Sequence, residues 1–379
     1  MKVRASLKQF RIQRGFTQQE LARLTGLSRQ TLVSIESGHS VPSTAIALLL
    51  ARLLGCRVEE LFALHEAGGE FRAALAHPMR PATSKASPRV VVGSVAGRWV
   101  AHRLDPQQRA RDLTVAADAV LSSARKRGPV RLKALIDPQR LSENLLLAGC
   151  DPALGLLADR TERNAPGSRS VWLEATSGAA LSALERSEVH VAGAHLFDRD
   201  SGEYNIPFVR RAFSGRSMVV VTVAQIEEGI AVAAGNPRRI RDVAHLAGKR
   251  VRFINRDESA GARRLLDRLL ADAGVRPRDI HGYDRIAPGH LEAAGAVASG
   301  AADAAVVTCG AALALGLDFV PLSSERFDLA LPKDFLGDHR VTRLMETLSS
   351  GEFRRELASI GGYATQRSGA IVAELPTAD

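Results

Sequence analysis

The sequence predicts a multidomain protein, an all-α N-terminal domain of five short helices followed by a larger α/β region. In residues 1–65 apolar positions recur at helical spacing between repeated cap and glycine signals. From residue 89 onward, short β-branched runs alternate with amphipathic stretches, the pattern of mostly parallel sheets flanked by helices. At 379 residues the chain exceeds what one hydrophobic core usually organises, so two or three domains are expected.

The first helix is expected over 5–15, with Leu7, Phe10 and Ile12 inward. Thr17 and Glu20 have capping-box spacing and open a helix over 18–25 that turns Leu21 and Leu24 inward and ends at Gly26. Ser28 caps a helix over 29–36, which buries Leu32 and Ile35 and stops at Gly38. Helices over 44–54 and 58–64 follow, divided by Gly55. Residues 66–88 mix Gly, Pro, Ser and charges and read as a linker. Residues 89–142 are expected to form a small α/β connecting or dimerising unit, with strands RVVVGSV and VRLKALI around a helix over 108–125. From 143 to 379, strands are expected in LLLAG, VHVAGAHL, MVVVTVA, GIAVAAG, RVRFIN and AAVVT.

Composition narrows the function classes. Hydrophobic residues at 45% and charged residues at 24% are ordinary for a soluble globular protein. No apolar run approaches a membrane span, so neither export nor insertion is expected. Cys56, Cys150 and Cys309 are too scattered for a zinc module or a disulfide framework, and a reduced cytoplasmic protein follows. Net charge is +10, and half of it lies in residues 1–65, where nine Lys or Arg face four Asp or Glu. A polyanion is a natural partner for that end.

The stretch TQQELARLTGLSRQTLVSIESG (17–38) resembles the XRE-type, phage-repressor-like helix-turn-helix, and the resemblance covers 4–64 with Gly38, Pro42 and Leu61-Phe62. A recognition helix must expose short polar and basic side chains opposite its buried face, and Arg29, Gln30, Thr31 and Ser34 lie opposite Leu32 and Ile35. Arg pairs bidentately with guanine, Gln with adenine. The resemblance implies that Gln18 contacts phosphate and braces the recognition helix, with Ser28 near the DNA backbone. Lys2, Arg4, Lys8, Arg11 and Arg14 are available for phosphates. Double-stranded DNA is the implied partner. One such domain covers little of it, so a homodimer or higher oligomer on an inverted repeat is expected.

From 143 onward the chain resembles the periplasmic-binding-protein-like, molybdate-binding-like domains fused to such modules. The segments that carry this are LLLAGCDPALGLLA, EVHVAGAHLFDRDSGEYNIPFVRR, GIAVAAGNPRRIRDVAHLAGKRVRFINRDESAGARRLLDRLL, HGYDR, GHLEAAGAVASGAADAAVV, LGLDFVPLSSERFDLALP and FRRELASIGGY. The resemblance implies a two-lobed type II α/β fold, with chain crossings near 219–231 and 325–331. Its ligand would sit between the lobes where helix N-termini converge.

Four loops have the form such a site needs, small residues that let backbone N–H groups approach and hydroxyls that add donors. They contribute Asp151, Thr176 with Ser177, Ser259 with Gly261 and Arg263, and Thr308. Arg256 and Arg263 favour an anion. Asp151 argues for a ligand that also carries a donor or positive group, unless it merely caps its own helix. His195, Tyr204, Asn205 and His290 lie in matching segments and are candidates to line the cleft. The effector is expected to be a small anion, molybdate, tungstate or an organic one.

Neither a cofactor nor a metal site is expected, and no catalytic residue, because no nucleophile elbow, P-loop or metal-ligand spacing appears. Two other readings stay open. The C-terminal region could only dimerise a constitutive DNA-binding protein, or it could be an enzyme in which Cys150, beside Asp151, has His195 in reach.

Overall fold

The computed structural model describes residues 2–65, 69–78, 88–106, 109–123, 129–164, 167 and 169–376. Contacts divide the chain into two compact units, residues 1–69 with 134–137, and residues 70–133 with 138–379. Among the described residues, no helix is long and apolar enough to cross a membrane.

In the first unit, strand β1 (Lys2–Ala5) precedes helices α1 (Leu7–Gln13), α2 (Gln18–Thr25), α3 (Arg29–Glu36), α4 (Thr44–Leu54) and α5 (Val58–Leu61), and strand β2 (Phe62–His65) closes it. Local signals act as the sequence suggests. Thr17 Oγ1 accepts the Glu20 N–H at 3.2 Å, and Glu20 returns a carboxylate to the Thr17 N–H at 2.7 Å, the reciprocal capping box. Gly26 ends α2 with φ +67°, a conformation a Cβ would disfavour. Leu7, Leu21, Ala22, Leu32, Ile35, Leu50, Ala51, Leu54 and Leu61 form the core.

Four expectations fail in this unit. The first helix begins at 7 and the fifth ends at 61, because residues 2–5 and 62–65 pair as antiparallel strands and so satisfy each other's backbone groups. Ile12 and Leu24 face solvent, since the helical period puts Arg11, Ala22 and Thr25 on the inner face instead.

The second unit opens with a closed barrel of β3 (Glu70–Leu75), β4 (Arg89–Val95), β5 (Arg98–Arg103), β6 (Ala119–Ser123) and β7 (Val130–Ala134), in the order β3-β5-β4-β6-β7. This corrects the expected strand–helix–strand unit. The stretch read as a helix over 108–125 holds one 3₁₀ turn (Ala110–Leu113) and then β6, and the supposed linker contains β3. The Asp118 carboxylate decides the local path, accepting the Val92 N–H at 2.8 Å and an amide N–H of Asn144 at 3.0 Å. Closing the ring also removes free sheet edges.

After α6 (Pro138–Leu141) the chain runs through β8 (Asn144–Gly149), α7 (Ala153–Asn164), β9 (Arg169–Glu174), α8 (Ser177–Glu185), β10 (Val191–Ala194) and α9 (Ile206–Ala212). The long strand β11 (Met218–Val232) crosses to β12 (Phe253–Arg256), α10 (Gly261–Asp272), β13 (Ile286–Ala287), α11 (His290–Ala298), β14 (Ala304–Thr308) and α12 (Cys309–Ala314). Strand β15 (Asp318–Pro332) returns to α13 (His339–Ser349), α14 (Gly351–Ile360), β16 (Tyr363–Ala364) and β17 (Ile371–Leu375).

The sheet order is β13-β12-β14-β11-β15-β10-β8-β9, with β16 and β17 also on β11. Strands β8, β9 and β10 are parallel in one lobe, and β12, β13 and β14 in the other. Among the described residues, only β11 and β15, paired antiparallel from Met218↔Pro332 to Val232↔Asp318, belong to both. Their register shifts at Thr222/Ala224 and at Glu228/Gly229, where the strands pass between lobes. The barrel shares the first lobe's core, where Val91, Val95, Val100 and Leu104 pack with Leu146, Val171 and Leu184.

Candidate functional site

On the first unit, Ser28 caps α3 by accepting the Thr31 N–H at 3.0 Å. Arg29, Gln30 and Thr31 are exposed on the first turn of α3, and Ser34 is half-buried one turn on. Behind them, Glu36 is gripped from two helices. Arg11 Nε donates to it at 2.6 Å, and the Gln18 amide at 2.9 Å. Gln18 therefore braces α3, as its motif position implies. Arg11 is buried and not free for phosphate, whereas Arg14 is exposed and held at one side by α4. Arg11 is committed to Glu36 and the Phe16 carbonyl, and Arg14 caps the end of α4 through the Leu54 carbonyl at 2.9 Å. Lys8 is exposed, and the side chains of Lys2 and Arg4 lie outside the described residues.

In the second unit, the C-terminal ends of parallel strands from both lobes converge. Cys150 and Asp151 follow β8, Thr176 and Ser177 follow β9, and His195 follows β10. Arg256 ends β12, and Thr308 ends β14. His290 opens α11, while Glu228 and Glu325 come from the two crossing strands. Asp151, Ser177, His195, Glu228, Arg256 and His290 are all at most 1% exposed.

His195 is the hub. Its Nδ1 lies 2.9 Å from Glu325 Oε2 and 3.7 Å from Glu228 Oε1, its Nε2 3.1 Å from Cys150 Sγ. Burial works to lower the His195 pKa, but Cys150, Glu228 and Glu325 hold it well above the usual range. His290 is the opposite case. Its Nδ1 accepts the Thr308 N–H at 3.2 Å, so the neutral ring carries its proton on Nε2, which points at Glu228 Oε1 from 3.8 Å. Burial, Arg256 and His195 hold His290 well below the usual range.

Among the side chains of this cluster that keep buried polar atoms with no hydrogen-bond partner among the described residues, three are charged types. These are Arg256 (Nε and Nη1), Glu228 (both carboxylate oxygens) and Asp151 (Oδ2). Burial pushes the Glu228 pKa up to about 8, with Glu325 and Asp151 adding to the rise against His195 and Arg256. Asp151 is also raised by burial, although its other oxygen accepts the Ala153 N–H at 2.7 Å and the Tyr363 hydroxyl at 2.9 Å. It therefore caps α7 and still turns an oxygen into the cluster.

The lobes meet directly at this site. Thr176 Oγ1 and Ser259 Oγ are 2.5 Å apart, and the Gly178 N–H donates to the Ser259 carbonyl at 3.2 Å. A Cβ on Gly261 would lie 2.2 Å from the His195 carbonyl oxygen, so only glycine lets α10 approach. Beside it a cavity of about 270 Å³, lined by Phe197, Arg199, Arg264, Arg268 and others, reaches Glu325 from outside.

Not all the candidates from the sequence gather here. Arg263 is spent elsewhere, its Nε on the Asp267 carboxylate at 3.0 Å and its guanidinium 4.2 Å over the Tyr283 ring. Asn205 ties its loop to the chain just after β10, accepting the Leu196 N–H at 2.7 Å, and to β15, donating to the Asp328 carboxylate at 2.8 Å. Tyr204 packs on Phe197 with ring centres 5.1 Å apart. Sequence reasoning missed Glu228, Glu325 and Tyr363. A glutamate inside the apolar run 218–232 was a usable signal for the first.

Among the described residues, two trios of metal-ligating residue types occur, Cys150 with His195 and His290, and His195 with Glu228 and Glu325, their ligand atoms within 4.8 Å of one another. Both His195 nitrogens have partners, and His290 Nε2 carries a proton.

Comparison with known proteins agrees with this architecture. A helix-turn-helix family model matches residues 7–61, and a PBP superfamily domain model matches residues 158–349, half of the chain. The Bacillus subtilis protein YvgK is 31% identical over 231 residues, 61% of this chain and 74% of YvgK. An HTH-type transcriptional regulator of Archaeoglobus fulgidus is 40% identical over 60 residues, 16% of this chain and 86% of that protein. Among solved structures, an ABC-type phosphate transport receptor from Vibrio cholerae aligns with a TM-score of 0.39 at 14% identity, over 58% of this chain and 99% of that one.

Proposed function

The chain belongs to the PBP superfamily and carries an XRE-type helix-turn-helix at its N-terminus, and from that premise we propose that it is a DNA-binding transcriptional regulator that responds to a small anion held between its lobes. One observation carries the ligand class. Arg256 is a guanidinium only 1% exposed, with Nε and Nη1 unpartnered. A permanent buried cation without a carboxylate partner is costly unless an anion supplies one. Burial raises the Glu228 pKa to about 8, which weakens it as the counter-charge of Arg256. His290 Nε2–H adds a second donor, and Asp151 accepts from a ligand proton.

A small organic acid with a hydroxyl or ammonium donor matches all three groups, whereas molybdate or tungstate matches Arg256 and His290 and meets Asp151 only in its protonated form. The protein acts in the cytoplasm as a homodimer whose paired α3 helices read an inverted repeat, with Arg29 and Gln30 on base edges. Ligand can shift the DNA-competent population only by its differential affinity for the two conformations, so a tenfold change needs about 1.4 kcal/mol of coupling.

The test is thermal unfolding of the full chain against molybdate, tungstate, phosphate, sulfate and small carboxylates. A bound anion at about a hundred times its Kd adds about 2.7 kcal/mol to native stability, a clear rise in Tm. Arg256→Ala is expected to abolish the rise. Absence of any rise across the panel would overturn the anion reading.

A further inference from the structure

We propose that Cys150 is a nucleophilic thiol, set up by His195 and Glu325 to form a covalent adduct with a small anionic electrophile admitted to the inter-lobe cleft. The three residues come from separate elements, the end of β8, the end of β10 and the crossing strand β15, yet they line up within hydrogen-bond reach. Glu325 Oε2 lies 2.9 Å from His195 Nδ1, and His195 Nε2 lies 3.1 Å from Cys150 Sγ. The Glu325 carboxylate accepts from Nδ1–H and orients the ring, so that Nε2 faces the sulfur and holds the proton when the pair is in its thiolate–imidazolium form. The resulting thiolate sits just ahead of α7, a twelve-residue helix whose N-terminal end favours negative charge. Ser177 Oγ, 3.7 Å from the sulfur, offers a further contact.

The other two thiols lack this arrangement. Cys56 Sγ faces the Ala51 carbonyl at 3.9 Å, and burial pushes its thiol up. Burial and the neighbouring Glu227 push up Cys309. Selectivity for an anionic reagent comes from Arg256, whose unpartnered Nε and Nη1 belong to the same cluster through Glu228 and His290. In the step itself the thiolate sulfur bonds to the electrophilic carbon. The bond from that carbon to the leaving group breaks, its electron pair departs with the leaving group, and the proton stays on His195. Cys150 is only 1% exposed, so reaction proceeds when the Thr176–Ser259 contact between the lobes opens.

The inference shares the cleft with the regulator reading, but the two fail separately. Alkylation rates report on the thiol whether or not DNA affinity responds to an anion. The experiment treats the folded full chain with iodoacetate and, in parallel, neutral iodoacetamide, from about pH 5.5 to about pH 9, and maps adduct formation at each cysteine by peptide mass. Besides His195, the groups facing the sulfur's surroundings are Asp151, Glu228, Arg256, His290, Glu325 and Tyr363, and the profile reports their joint field.

Near pH 6.5, Cys150 is expected to react at least about tenfold faster than Cys56 and Cys309, and faster with iodoacetate than with iodoacetamide. Glu325→Gln should slow it and move the profile's midpoint upward. The wild-type profile stands as a test even if that variant folds poorly. No adduct at Cys150 in the folded chain, or a rate and midpoint matching the other two cysteines, overturns the proposal.

Discussion

The two units hold their working polar groups in opposite ways. In the helix-turn-helix, the buried charge is internally settled, Arg11 and Gln18 both closing on Glu36, while Arg29, Gln30 and Thr31 stand in solvent. In the lobed unit, the working groups are inside, and Arg256, Glu228 and Asp151 keep unpartnered atoms at 1% exposure or less. A surface that reads a polymer needs its donors and acceptors in water until the polymer arrives. A site that encloses a small solute needs them desolvated in advance, and that preorganisation costs stability. The first unit can therefore be optimised for folding independently of its task, whereas the second cannot.

The largest effect that distinguishes the two should come from Arg11→Ala. Breaking a buried pair while its partner stays costs about 3–5 kcal/mol, so the helix-turn-helix should unfold at much lower denaturant, read as loss of helical ellipticity. Arg256→Ala should have no such cost and should leave the anion-free Tm unchanged or higher, because its charge has no carboxylate hydrogen-bonded to it. Comparable destabilisation by both would erase the contrast.

Gly261→Val is next. Its Cβ would meet the His195 carbonyl oxygen, so α10 could not approach, and anion affinity in calorimetry should fall by about a hundredfold or more, given that contact geometry of an ångström decides such sites. Unchanged affinity would mean that the lobes need not meet as they do here. Arg29→Ala should cost about 1–3 kcal/mol in operator affinity with no change in Tm, measured by fluorescence anisotropy. A fall in Tm instead would make Arg29 a structural residue.

The smallest expected effect is a pH dependence. Glu228 has a folded pKa of about 8 against an ordinary 4.5, so the native state binds its proton more tightly than the unfolded chain does. The stability this gives is fully present below about pH 4.5 and is lost as pH rises through about 8. Glu228→Gln should flatten the Tm profile across that window and be the more stable protein above it. Parallel profiles for the two proteins would show that Glu228 ionises freely.

How much of this was legible in the sequence follows the range of the interactions. The helix-turn-helix is written in contacts three or four residues apart, Thr17 with Glu20 and Ser28 with Thr31, and those read directly. The barrel was not legible, because Glu70–Leu75 is a strand only by pairing with Val130–Lys133 and with Val100 and Ala101. Strand-end position singled out the loops of Asp151, Ser177 and Thr308, while His195 and His290 were candidates only through the family resemblance. The choice between two arginines was not legible. Both favour an anion by residue type, but Asp267 one turn on and the Tyr283 ring capture Arg263. Glu228 and Glu325 meet at His195 only because β11 and β15 cross between the lobes in that register.

The central claim is that anion binding at Arg256 and DNA binding at α3 are coupled. Duplexes enriched in vitro by the full-length protein supply the operator. Its Kd is then measured at fixed salt with and without the anion that most raises Tm. The account predicts a change of about tenfold or more in the wild type and none in Arg256→Ala. Equal operator affinity with and without a bound anion in the wild-type protein would contradict it.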